Sequence, residues 1–130
     1  FGIPISAKVG AVMPMMRSAT GRVFASYLPE AVVQPLIEKA DQAHTHLTWK
    51  EFVPLKQHIL QQEMCVIEGD MMAGINAIAA PVFDANNDVV FVVTCLGSAD
   101  KISAEPQGTH AQAVLQAART ISAHLGQHRS

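Results

Sequence analysis

Residues 75–96 read Ile75-Asn76-Ala77-Ile78-Ala79-Ala80-Pro81-Val82-Phe83-Asp84-Ala85-Asn86-Asn87-Asp88-Val89-Val90-Phe91-Val92-Val93-Thr94-Cys95-Leu96. Two strand-length apolar runs flank five turn-forming residues, and Asn tolerates the positive φ that tight turns need, so the stretch predicts an antiparallel hairpin. Valines and Phe91 occupy both faces of the second run, which predicts a central strand covered on both sides. Upstream, residues 64–67 read as a short strand, followed by a Gly-punctuated polar crossing with Glu68, Gly69, Asp70 and Gly74. Downstream, Ala111, Val114, Leu115, Ala118, Ile121 and Leu125 mark one side of a long helix that Gly126 can stop.

Working toward the start, Thr48-Trp49-Lys50-Glu51 matches a capping box ahead of Phe52, Leu55 and Ile59, although Pro54 predicts a later helix start. Val32, Val33, Leu36, Ile37 and Ala40 form a second helical face, opened by Pro29 in its first turn and kinked at Pro35. Ser18 can cap another helix, with Val23/Tyr27 and Phe24/Leu28 at i,i+4 spacing and a stop near Pro29. Residues 3–9 alternate as a half-buried strand. The order β, α, α, α, β, β, β, α is an α+β arrangement, a mainly antiparallel sheet flanked by helices.

The chain has 130 residues, enough for one domain, and 49% of them are hydrophobic, which excludes a disordered tail. Nine Lys and Arg against eleven Asp and Glu leave a charge of −2, unlike a phosphate-gripping domain, so no nucleic-acid binding is expected from these residues. No apolar run reaches the roughly 18 residues that cross a bilayer, so a soluble protein without a membrane partner is expected. Cys65 and Cys95 sit in apolar runs outside any Cys-x-x-Cys or Cys/His cluster, which predicts a reducing, cytoplasmic setting. The start at Phe1 reads as an excised fragment.

Several residues invite chemical readings. The helix opening at Arg17-Ser18-Ala19-Thr20-Gly21 would present free N–H groups and a positive dipole end that suit a carboxylate; an ordinary N-cap explains the same residues. Glu68 and Asp70 could form a polar pocket lip or a solvated acidic turn, with no adjacent base or nucleophile for acid–base catalysis. His44-x-His46 lacks a third ligand, and His124 and His128 fit the dipole at a helix end, so no metal is expected. Cys95 has no neighbouring cation in sequence to activate it and reads as a small buried hydrophobe. Met13, Met15, Met16, Met71 and Met72 read as pocket lining or core filling. No dinucleotide, P-loop, serine-hydrolase or zinc-protease motif occurs, so neither catalytic residues nor a cofactor are expected.

Two stretches resemble a known family. Met13-Pro14-Met15-Met16-Arg17-Ser18-Ala19-Thr20-Gly21-Arg22-Val23, running on to Leu28-Pro29-Glu30, resembles the L-P-L-H-A-T-x-x-G-K-A and L-P-E signature of IclR-family transcriptional regulators. Gly74-Ile75-Asn76-Ala77-Ile78-Ala79-Ala80-Pro81-Val82-Phe83-Asp84, followed by Thr94 and Gly97, is similar to that family's G-x-x-x-I-A-A-P-V-F-D and S-x-S-G runs. The resemblance covers nearly the whole chain. It implies that residues 1–130 are a C-terminal effector-binding domain of GAF/profilin-like fold, truncated at its N-terminal side. Such a domain senses a small molecule and assembles into homodimers or homotetramers, and operator DNA is reached only through a winged helix-turn-helix domain outside this chain. The implied effector site comprises Met16, Ser18, Ala19, Thr20, Gly21, Ile67, Glu68, Asp70, Ala77, Thr94 and Leu96. Where polar-acid binders of the family hold an acid, a Cys, a Ser and a His, this chain has Ile67, Ala77, Leu96 and Met16, which implies an aromatic or otherwise apolar carboxylic acid. The competing readings are a small cysteine-dependent hydrolase or redox enzyme and a ligand-free oligomerisation module.

Overall fold

The computed structural model describes residues 15–41, 47–69 and 74–128. The expected strand over residues 3–9, His44, His46, Asp70, Met71 and Met72 lie outside them. After a short 3₁₀ turn at Met15–Arg17 come helices α1 (Ala19–Tyr27), α2 (Glu30–Asp41) and α3 (Trp49–Gln62). Strands β1 (Cys65–Glu68), β2 (Ile75–Phe83) and β3 (Val89–Ser98) follow, and α4 (Thr109–His124) closes the order. The sheet is antiparallel throughout, in the order β1-β2-β3.

The hairpin forms as the turn residues dictate: Asn87 has φ 62°, and the Asp84 carboxylate accepts from the backbone of Asn86 and Asp88. The expected central position of β3 turns on strands outside the described residues, among them the expected strand over residues 3–9. Among the described residues β2 is central and β3 is an edge, with Phe91 60% and Val90 37% exposed. Strand β2, with Ala77, Ala79 and Ala80, has the small side chains that let helices approach both faces.

Alternation along the strands divides the core in two. Ile78, Ala80 and Val82 pack with Ala111, Val114, Leu115 and Ala118 of α4 on one face. On the other, Cys65, Ile67 and Ala79 pack with Ala19 and Val23 of α1 and Ile59 of α3. Buried Ser122 ties α4 to the sheet, its Oγ accepting from Phe83 N–H at 3.0 Å and donating to the Ala118 carbonyl at 2.8 Å. An Arg119–Glu63 ion pair ties α4 to the left-handed residue that ends α3. A third cluster of Met16, Ala25, Val33, Ile37 and Phe52 joins α1, α2 and α3.

Two proline expectations are corrected. Pro29 sits just before α2, its carbonyl accepting from Val33 N–H, and is not in the first turn. Helix α3 starts at Trp49 despite Pro54, because both bonds of the capping box form and Phe52 and Ile59 are buried. One missing internal N–H is outweighed. Accepting from the Thr48 backbone and hydroxyl holds the Glu51 carboxyl below the usual carboxylate range. A lowered folded-state pKa stabilises above the unfolded value and is lost as pH falls through the folded one, so the box weakens as pH falls below the ordinary glutamate range. Thr48→Ala is expected to cost about 1 kcal/mol at neutral pH in urea unfolding, and less in acid; an equal cost at both pH values would separate Glu51 from the cap.

Candidate functional site

Helix α1 starts over the sheet because Ser18 caps it: its Oγ accepts from Gly21 N–H at 3.0 Å and its carbonyl from Arg22 N–H at 3.0 Å. Ala19 and Thr20 remain as first-turn donors with no backbone acceptor among the described residues. Thr20 Oγ1 lies 2.6 Å from Thr94 Oγ1 on β3, fixing this end of the helix against the sheet. At the other end, Tyr27 meets Phe83 edge to face, ring centroids 5.1 Å apart. Helix α1 therefore runs in the same direction as β2, and its N-terminus ends above the row Cys65–Ala79–Thr94.

The next row on that face, just beyond the helix end, is Ile67–Ala77–Leu96. Ile67 is buried, Ala77 half-buried and Leu96 41% exposed. The arrangement is an apolar floor, without a charged side chain in either row, facing the positive end of a helix dipole. It can seat a molecule that is anionic at one end and apolar at the other.

Ser18, Ala19, Thr20, Gly21, Ile67, Ala77, Thr94 and Leu96 come together around this helix end. Met16 does not: it is 1% exposed, on the side of α1 that faces Val33, Ile37 and Phe52. Glu68 does not either, since it alternates to the opposite side of β1 from Ile67, opposite Asn76, and is exposed. Asp70 lies outside the described residues. Cys65, buried beside Ala19 and Ile67, belongs to the floor and was missed; two-residue alternation back from Ile67 would have found it. Cys95 packs half-buried against the α4-facing cluster. Among the described residues no three His, Cys, Asp or Glu side chains converge as metal ligands, and no helix is long and apolar enough to cross a membrane.

Comparisons with known proteins place this geometry. Residues 3–123 match the family model described as bacterial transcriptional regulator IclR C-terminal. The HTH-type transcriptional regulator RhmR of Escherichia coli K12 is 27% identical over 135 residues, covering 95% of this chain and 49% of that protein. The crystal structure of Pseudomonas aeruginosa HmgR superposes with a TM-score of 0.86 at 34% identity, covering 98% of this chain and 51% of that one. The inducer-binding domain of PobR from Acinetobacter, a double mutant crystallised with 3-hydroxybenzoic acid, aligns with a TM-score of 0.69 at 25% identity, covering 88% of this chain and 68% of that one. The chain spans about half the length of the curated relatives it matches. Those relatives are transcriptional regulators, not enzymes, and the fold they share is GAF-like. The chain belongs to the C-terminal domain family of IclR-type bacterial transcriptional regulators.

Proposed function

We propose that these residues are the effector-sensing part of an IclR-type regulator and that the effector is an aromatic or similarly apolar carboxylic acid. Its carboxylate would meet the free N–H groups and the Thr20 hydroxyl at the start of α1, and its apolar body would lie over Ala77 and Leu96. One observation carries the reading: the α1 N-terminus opens onto a row without a charged side chain. The benzoic acid held by the PobR domain supports the same ligand class. Copies of the domain, assembled as a homodimer or homotetramer, would take two arrangements, and an acid with higher affinity for one shifts DNA-binding heads outside these residues.

A thermal-shift series tests the ligand class. 3-Hydroxybenzoate at a hundredfold excess over Kd stabilises the native state by about 2.7 kcal/mol, raising Tm by roughly 10 °C. Benzoate and phenylacetate are expected to act alike, and pyruvate and glyoxylate to have little effect. Stronger stabilisation by pyruvate than by the aromatic acids would overturn the proposal.

A further inference from the structure

A concavity of about 230 Å³ runs along the outer side of β1, lined by none of Thr20, Ala77 and Leu96. Leu55, His58, Ile59 and Gln62, one face of α3, form one wall, and Ala104 and Pro106 form the other. Its floor is β1, which among the described residues pairs with β2 alone. Gly69 N–H donates to the Ile75 carbonyl, so alternation turns the backbone N–H and C=O of Val66 away from β2, into this groove. Arg22 reaches it from α1. Its Nε donates to the Met16 carbonyl at 2.7 Å, which orients the guanidinium, and its two Nη atoms have no ion-pair partner among the described residues.

We propose that this groove is a second small-molecule site, taking a small monocarboxylate with an apolar body. The Nη edge of a fixed guanidinium matches a carboxylate bidentately, with His58 and Gln62 as further polar neighbours. Leu55, Ile59, Val66 and Pro106 would cover the apolar part. The volume lies below the roughly 300–1,000 Å³ of drug-sized sites, which sets the ligand's scale. Glu68, also in the lining, repels a dianion such as phosphate more strongly than a monoanion. It also protects this side of β1 against pairing with another chain, which favours a small molecule over an added peptide strand.

Titrating sodium benzoate into the methyl-labelled 130-residue chain, followed by NMR, tests the site by location. Methyl signals of Ile59 and Val66 are expected to shift and saturate, independently of those of Ala77 and Leu96. Thr20→Trp is expected to leave the groove response intact. Arg22→Gln is expected to weaken it about tenfold or more. His58→Trp, which fills the groove from an exposed position and spares the Arg22–Met16 contact, is expected to abolish it while Ala77 and Leu96 still respond. Shifts confined to Ala77 and Leu96 would overturn the groove and leave the first site standing. Groove shifts that persist in His58→Trp would also overturn it, and silence at all four methyls would sink both sites.

Discussion

Thr20→Trp abolishes effector binding over Ala77 and Leu96 while the domain stays folded. The indole replaces a half-buried side chain in the first turn of α1, at the point where the helix end meets β3, and fills the space over Ala77 and Leu96. The stability cost is the lost Thr20–Thr94 hydrogen bond, about 1 kcal/mol, or roughly 4 °C in Tm. Thr20→Val separates the two roles: it removes the hydroxyl at nearly constant volume, so binding should weaken without vanishing. Calorimetric titration with 3-hydroxybenzoate in a His58→Trp background, where the groove is filled, checks both, and unchanged affinity on adding Thr20→Trp would move the site elsewhere.

The second large effect is on stability. Phe52→Ala is expected to destabilise the fold by about 3–5 kcal/mol, a large part of the roughly 5–15 kcal/mol that holds a domain together. Phe52 is fully buried and is the largest side chain of the cluster in which α1, α2 and α3 meet; Trp49 lies against it at a centroid distance of 5.8 Å. Removing the ring leaves a cavity among Met16, Val33 and Ile37, and because Met16 leads into α1, the helix end that forms the candidate site should loosen too. Urea unfolding should show a midpoint lowered by about 2 M; a change within about 0.5 kcal/mol would mean that the three helices do not share this core.

Local chemistry made much of the architecture readable. The hairpin was visible in the Asp84–Asp88 turn, the start of α3 in Thr48 and Glu51, and the end of α4 in Gly126, which has φ 94°. Each signal lies within a few residues of its effect. Relations between distant elements were not readable. The row Ile67–Ala77–Leu96 exists only through strand register, and Thr20 meets Thr94 across 74 positions. Thr20 was nominated by the helix opening and Thr94 by family resemblance, and neither says anything of their contact. The direction of Met16 was equally hidden, since the 3₁₀ turn at Met15–Arg17 decides which side of α1 it joins. Strand order was hidden for the same reason: propensity identifies a strand, while its neighbours decide whether it is central.

A crystal structure of the chain soaked with 3-hydroxybenzoate tests the sensing account most directly. The account predicts the acid over Ala77 and Leu96, with its carboxylate within hydrogen-bond distance of the Thr20 hydroxyl and the first N–H groups of α1. No ligand density over Ala77 and Leu96, or a helix end filled by the protein's own side chains with no room beside it, would contradict it.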